Sequence, residues 1–322
     1  MSKTVLITGG FGYVGGRVAA ELAKLENWKI RLGTRRQDRT PPTWLKEAEV
    51  LPLDLDDAAT IQRAVEGVDY VVHLAALNEI DSARHPEQAL LVNGLGSLKL
   101  LNAAIQAKVG RFLYFSTAHV YGAPLKGTLD ESCLARPIHP YAITHRTAED
   151  FVLAAHAQGQ IEGLVVRLSN GYGAPTHPDV DRWTLIANDL CRQAVTTGQL
   201  VLKSPGLQRR DFVTLEDVGR AAAHLLTMDR GHCQDGLFNL GGACTMSIRE
   251  MTDLIARRCE AVLGFAPEIV APSPTERDVA DALDFRIDKL RSTGFELTGD
   301  ATREIDALLT LCQNAFGGAV LR

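Results

Sequence analysis

The sequence lacks the features that would mark a membrane, zinc or disulfide protein. No apolar run approaches the ~18 residues that a spanning helix needs. The six cysteines, Cys133, Cys191, Cys233, Cys244, Cys259 and Cys312, form no C-x-x-C pair, which argues against a zinc site. The N-terminus offers one Lys and then a glycine-rich turn, not a secretory leader. The thiols are therefore expected to be reduced, mostly buried as small apolar groups, in a cytoplasmic protein. A basic excess is also missing: 34 Lys and Arg stand against 39 Asp and Glu, a net charge of -5. That balance argues against nucleic-acid binding through a broad cationic face. There is no internal repeat and no low-complexity tract. What remains is 322 residues, 46% hydrophobic and 23% charged, enough to bury a large core without disulfides or metals. The charged run Thr275–Asp278 reads as a solvated face.

Short apolar runs alternate with amphipathic stretches through the first half. Thr4–Thr8, Ile30–Gly33, Val50–Leu53, Tyr70–Leu74, Phe112–Ser116 and Gly163–Arg167 read as buried strands. Gly15–Leu25, Ala58–Val65, Leu90–Ala107 and Tyr141–Ala157 read as helices. This alternation predicts an α/β fold, a doubly wound parallel sheet of the Rossmann kind. Beyond residue 168 the pattern loosens. Asn170–Asp181 reads as a loop. Helices are expected at Trp183–Thr197, Leu215–Leu226, Ser247–Leu263 and Asp300–Phe316, with strands at Asp211–Val213 and Phe238–Leu240. The expected organisation is a dinucleotide-binding domain over 1–168, with returns at about 211–242. A smaller interleaved substrate-binding domain takes 169–210 and 243–322.

The first strand runs into Gly9-Gly10-Phe11-Gly12-Tyr13-Val14-Gly15, a G-x-x-G-x-x-G spacing. Gly9, Gly12 and Gly15, with Tyr13 and Val14 between them, would let the backbone approach a pyrophosphate at a helix N-terminus. Asp54-Leu55 after the third strand suits an adenine contact, or a helix cap. The second strand ends in Leu32-Gly33-Thr34-Arg35-Arg36, with no acid until Asp38. Arg35 and Arg36 would pair with a 2′-phosphate, which favours NADP(H), with NAD(H) possible. A solvated basic loop is the other reading.

Together with His73-Leu74-Ala75-Ala76, Asn93-Gly94, Ser116-Thr117-Ala118-His119-Val120-Tyr121-Gly122, Tyr141-Ala142-Ile143-Thr144-His145, Arg167-Leu168-Ser169-Asn170-Gly171-Tyr172-Gly173 and Arg210-Asp211-Phe212-Val213, these motifs give the chain a name by likeness. It resembles the extended short-chain dehydrogenase/reductase family, in particular the NAD(P)-dependent sugar-nucleotide epimerases, dehydratases and reductases. The resemblance implies that Leu74, Ala75, Ala76 and Asn93 belong to the cofactor site. It implies that Thr117 and Tyr141 are catalytic and that Asn170 and Arg210 meet a nucleotide-sugar substrate. Arg209, or an ion pair of Arg210 with Asp211 or Glu216, is the alternative there. Trp183 would line a nucleobase pocket or pack in the core. The helices at Leu90–Ala107 and Tyr141–Ala157 would form a homodimer.

The chain departs from the family's pattern at two positions. His145 stands where the family has the lysine that bonds the nicotinamide ribose. A unit charge at ~5 Å and an effective dielectric of ~20 is worth about 3 kcal/mol, roughly two pKa units. An imidazole supplies only part of that charge at neutral pH. His145 would still bond a ribose hydroxyl, while Tyr141 stays protonated, which suits ketone reduction. His145 otherwise marks a weakened activity. Ala118 and His119 replace the Asp-Glu pair of the dehydratases, so a 4,6-dehydratase is not expected. His119, two positions after Thr117 and on its face if the strand continues, would contact the hexose or act as a second acid/base. The expected function is an NAD(P)-dependent sugar-nucleotide enzyme, with 4-keto-sugar reduction favoured over 4-epimerisation with tightly bound NAD. The reading from another class is a non-catalytic dinucleotide-binding regulator.

Overall fold

The structure, a computed structural model, describes residues 2–36, 38–275 and 281–317. Most of the charged run expected as a solvated face, residues 276–278, lies outside the described residues. The chain begins β1 (Lys3–Thr8), α1 (Tyr13–Leu22), β2 (Trp28–Thr34), β3 (Glu49–Pro52), α2 (Ala58–Val65), β4 (Tyr70–His73), α3 (Glu79–Arg84) and α4 (Pro86–Ala89). A π-helical segment, Leu90–Gly96, then leads into α5 (Ser97–Gln106) and β5 (Arg111–Thr117). After a 3₁₀ turn, Ala118–Tyr121, come β6 (Gly127–Leu129), α6 (Pro140–Ala157), β7 (Glu162–Leu168) and β8 (Asn170–Tyr172). The remainder is α7 (Ile186–Thr197), β9 (Gln199–Val201), β10 (Arg209–Thr214), α8 (Leu215–Thr227), β11 (Leu237–Leu240), β12 (Thr245–Ser247), α9 (Ile248–Leu263), β13 (Glu268–Val270), β14 (Leu283–Phe285), α10 (Asp288–Ser292) and α11 (Ala301–Phe316).

Seven parallel strands form the central sheet in the order β11-β7-β5-β4-β1-β2-β3. Both faces are covered, which is why the strands read as unbroken apolar runs. Alternation divides them between two cores. Val5, Ile7, Leu113 and Phe115 pack with Val18 and Leu22 of α1 and Val218 and Leu225 of α8. Leu6, Phe112 and Tyr114 face the other way, against Ile61, Leu100, Ala148 and Val152 of α2, α5 and α6. A third core joins α7, α9 and α11 through Leu190, Ile255 and Leu308. The strand order reverses between β1 and β4, so the C-terminal ends of those strands open a crevice, the usual ligand position in such sheets.

Several local expectations change. The helix expected from Leu90 is π-helical for seven residues before α5 begins. The loop expected from Asn170 opens with β8, which pairs with β10 in a separate three-stranded sheet. The strand around Asp211 therefore stands outside the large sheet. The helix expected from Trp183 starts at Ile186. Trp183 is buried, edge-on to Phe316 at 5.0 Å. All six cysteines are free thiols; four are buried, Cys133 is half-buried and Cys244 is exposed.

Glu304 ties the last helix to both α1 and α8. Arg17 on α1 reaches Glu304 on α11 through Nη1 at 3.1 Å and also donates to the Ala174 carbonyl at 2.9 Å. Glu304 Oε1 accepts the backbone N–H of Glu216 at 2.9 Å. Among the described residues no helix is long and apolar enough to cross a membrane.

Candidate functional site

The crevice is a cavity of about 1030 Å³ running past the ends of β1, β4 and β5 to β8 and β10. Its floor is the glycine turn. Gly9 has φ of +70°, where side chains are strained, and an added Cβ would sit 3.0 Å from the Ala75 nitrogen. Gly12 N–H donates to the Gly9 carbonyl at 2.8 Å. A Cβ on Gly15 would lie 2.2 Å from that same oxygen. Gly12 caps α1 without a side-chain hydrogen bond, and no acid stands in the first turn. The first N–H groups and the positive end of the helix dipole are thus free for an anion. Val14 lines this floor. The Tyr13 side chain turns away from it, its hydroxyl 3.0 Å from both the Gly173 carbonyl and Asn188 Oδ1. Tyr13 thus offers backbone to a ligand and uses its ring to hold the second half of the chain. Gly15→Ala is expected to cost about 1–3 kcal/mol of stability, as overpacking does. It should weaken dinucleotide affinity by about tenfold or more, equivalent to about 1.4 kcal/mol. Urea unfolding and calorimetric titration check both, and unchanged affinity would refute the cradle.

At the far corner lie Arg35, Asp54 and Leu55. The carboxylate of Asp54 accepts the Asp56 N–H at 3.0 Å. The cap of α2 is Asp57, whose side chain accepts from Ala59 at 2.9 Å; Asp54 is therefore not the helix cap. Arg36 does not line the cavity. Its N–H bonds Thr34 Oγ1 at 3.2 Å and its side chain is exposed, so only Arg35 of the pair reaches the site. Sequence reading missed Phe11 on the cavity wall, with the Arg39 guanidinium 5.2 Å above its ring.

Behind Leu74, Ala75 and Ala76 runs a closed hydrogen-bond relay. Ser97 Oγ donates to the Asn93 carbonyl at 2.6 Å, so His73 Nε2–H must be the donor to Ser97, at 2.8 Å. His73 Nδ1 then accepts from Thr8 Oγ1 at 2.6 Å. Thr8 Oγ1 in turn accepts the Leu74 and Ala75 N–H groups, each at 3.1 Å. Asn93, fully buried, does not line the cavity. Its Oδ1 accepts the Leu77 N–H at 2.7 Å and its Nδ2 donates to Thr144 at 3.1 Å. It braces the Leu74–Leu77 wall against α6 rather than touching a ligand.

Thr117, His119, Tyr141 and His145 share the next stretch of wall. The strand does not continue to His119. It ends at Thr117, whose hydroxyl accepts the His119 N–H at 3.2 Å and starts the 3₁₀ turn. His119 reaches the cavity from that turn, and burial, with Arg210 nearby, holds its pKa below the usual value. Tyr141 is pushed up to about 12, mainly by burial, so its phenol is protonated at neutral pH. His145 packs edge-on to Tyr141 at 4.4 Å. Its Nδ1 meets the Tyr114 hydroxyl at 2.7 Å, and its buried Nε2 has no partner among the described residues. Ser116 Oγ, also buried on this wall and unpartnered, was not singled out from sequence.

Burial lowers His145 to about 3 and, with His145 close by, His73 also to about 3. Both are neutral when folded, whereas the unfolded chain protonates each near ~6.5. The unfolded state therefore binds more protons below that value. Stability is full above it and falls as the pH drops toward the folded values. Two such groups predict a loss of about 2 kcal/mol between pH 7.5 and 6.0. A urea midpoint that does not move over this range would refute it.

At the other end Arg210 lines the cavity and has one weak side-chain partner, Gln208 at 3.5 Å. The expected alternatives do not occur. Asp211 accepts from Ser169, Gly242 and Cys244. Arg209 faces away, donating to the Thr245 carbonyl at 2.7 Å. Asn170 lies beside Arg210 on the cavity and donates to the Asp211 carbonyl at 3.0 Å. Trp183 belongs to the core, its Nε1 donating to the Pro178 carbonyl at 3.3 Å. A pair missed from sequence lines the cavity: Arg182 meets Glu79 of α3 at 3.2 Å.

A family model described as the NAD dependent epimerase/dehydratase family matches residues 5–241. The chain is 28% identical over 260 residues to the dTDP-D-glucose 4,6-dehydratase of Mus musculus, covering 78% of this chain and 71% of that protein. It is 29% identical over 289 residues to the UDP-glucose 4-epimerase of Streptomyces lividans, covering 84% and 85%. The solved structure of MoeE5 with UDP-glucose and NAD matches with a TM-score of 0.76 at 25% identity, over 97% of this chain and 99% of that one. With the match running through the glycine turn, the relay wall and the Arg210 strand, this chain belongs to the NAD dependent epimerase/dehydratase family.

Proposed function

We propose that the protein is a nicotinamide-dependent enzyme acting on a nucleotide-activated sugar, and that it reduces a 4-keto sugar. The observation that carries this reading is one continuous cavity. It holds an uncapped helix start among glycines, a protonated phenol and a small hydroxyl among its lining residues, and an arginine with no carboxylate partner among the described residues. The residues fit a dinucleotide. Gly9, Gly12 and Gly15 leave room that any Cβ would fill, and the buried His145 Nε2 atom has no partner among the described residues. In this reading Gly12–Gly15 hold the pyrophosphate, Asp54 and Leu55 the adenine, and His145 a ribose hydroxyl. A bound nicotinamide supplies or accepts hydride at the sugar carbon. Tyr141 gives the proton to the carbonyl oxygen and Thr117 holds that oxygen. Arg210 faces the sugar nucleotide's diphosphate. Reduction is favoured because, among the described residues, the cation that acts on Tyr141 is Arg182, and Glu79 already engages it. Arg35 favours NADP(H).

Epimerisation with retained NAD is the second reading. It is favoured by the relatives named as epimerases and by the absence of Arg36 from the cavity lining. Elimination of water is disfavoured, since Ala118 and His119 stand where the dehydratases carry their acids. Incubation with NADPH or NADH and a panel of 4-keto sugar nucleotides should consume the reduced cofactor. Interconversion of intact UDP- or dTDP-hexoses without net redox change would replace this reading with the epimerase. Absence of dinucleotide binding would end both. Exposed Leu90, Leu95, Ile143 and Phe151 on the π-helical segment and α6 favour a homodimer; a single-chain mass of 35.0 kDa by light scattering would refute it.

A further inference from the structure

The wall that carries His145 is built to hold its ring in one form. Nδ1 is turned toward β5, where the Tyr114 hydroxyl lies 2.7 Å away, and both side chains are buried. The titratable groups around the ring are Tyr141 on its own helix, Tyr114 on β5 and His73 on β4, with Glu149 acting on Tyr114. None offers the ring a free charge. Glu149 is closed on Arg167 at 2.8 Å and on Arg146 at 3.2 Å. His73 is locked between Thr8 and Ser97, with its proton on Nε2. Burial keeps the Tyr114 phenol protonated far above neutral pH, so it has one proton to give; Ser97 is also within its reach, but that hydroxyl already accepts from His73 and donates to the Asn93 carbonyl.

We propose that Tyr114 is a positioning residue: it donates to His145 Nδ1 and fixes the neutral imidazole with its proton on Nε2. The Nε2–H is then a buried hydrogen-bond donor with no partner among the described residues, on a side chain that borders the cavity, and without the charge of an ammonium. Its acceptor would be a hydroxyl of the dinucleotide ribose, a step that rests on the function proposed above. Donation from a neutral ring needs no protonation, so this contact persists through pH 6 to 8 where an imidazolium contact would fade.

Nitrogen-15 spectra of histidine-labelled, ligand-free protein test the assignment without turnover, with His145 identified by the signal lost in His145→Asn. The expected spectrum has Nε2 protonated and Nδ1 bare, unchanged from pH 5.5 to 8. A proton on Nδ1, or titration near the ordinary histidine value, overturns the proposal. Tyr114→Phe keeps the ring and removes the donor. It should mix the two tautomers and weaken NADPH or NADH binding by roughly fivefold, the scale of one neutral hydrogen bond. A pure Nε2–H spectrum persisting in that variant also overturns it. If wild-type protein shows the expected spectrum but binds neither dinucleotide, the role of Tyr114 stands and the functional reading falls.

Discussion

Tyr141→Phe is expected to lower turnover of a sugar nucleotide by about 10²–10⁴-fold, the usual contribution of a positioned acid or base. The phenol keeps its proton at neutral pH, and its ring lines the cavity edge-on to His145. Phenylalanine keeps the ring and its edge-on packing with His145 at 4.4 Å, so folding and dinucleotide affinity should be nearly unchanged. The loss must then appear in the chemical step. Single-turnover reduction, followed by nicotinamide absorbance, separates it from binding. A variant that retains more than a tenth of wild-type turnover would assign the proton to another group, with His119 next in line.

Glu149→Ala should cost about 3–5 kcal/mol of stability, the scale for orphaning a buried charge. Arg167 is only 1% exposed. Its Nε and Nη2 lie 3.1 and 2.8 Å from Glu149, and its guanidinium stacks 4.6 Å from the Tyr121 ring. Nη1 already lacks a partner. Removing Glu149 strands that cation in the layer between β7 and α6. Arg167→Met should cost less, because Glu149 keeps Arg146 at 3.2 Å. Replacing both, Glu149→Leu with Arg167→Met, should recover much of the loss, since an apolar pair of similar volume is often neutral. Urea unfolding of the three variants reads the order; equal losses for the two single changes would refute it.

The large sheet was legible because its strands are buried on both faces, and a run such as Phe112–Ser116 has no polar side to confuse it. The glycine turn was legible for a similar reason: its spacing states a steric requirement. What escaped has physical causes. Strands of three residues, such as β8 and β12, carry too few side chains to show an alternation. A seven-residue π-helical segment covers too few turns for its apolar positions to differ from an α-helical pattern. Arg209 and Arg210 alternate across β10 as any strand would require, but the phase is set by pairing with β8 and β12, far off in sequence. Arg182 and Glu79 meet across 103 positions. His119 was placed on an extended strand because nothing local announces that Thr117 will turn its hydroxyl into a cap.

The grip of Arg17 and the Glu216 N–H on Glu304 has a mechanical consequence. The terminal helix is bolted to the rear of the very helix whose front would receive the pyrophosphate, and Tyr13 adds a second rivet to Gly173 and Asn188. A substitution at Glu304, near the end of the chain, would therefore be felt at the glycine turn near its start.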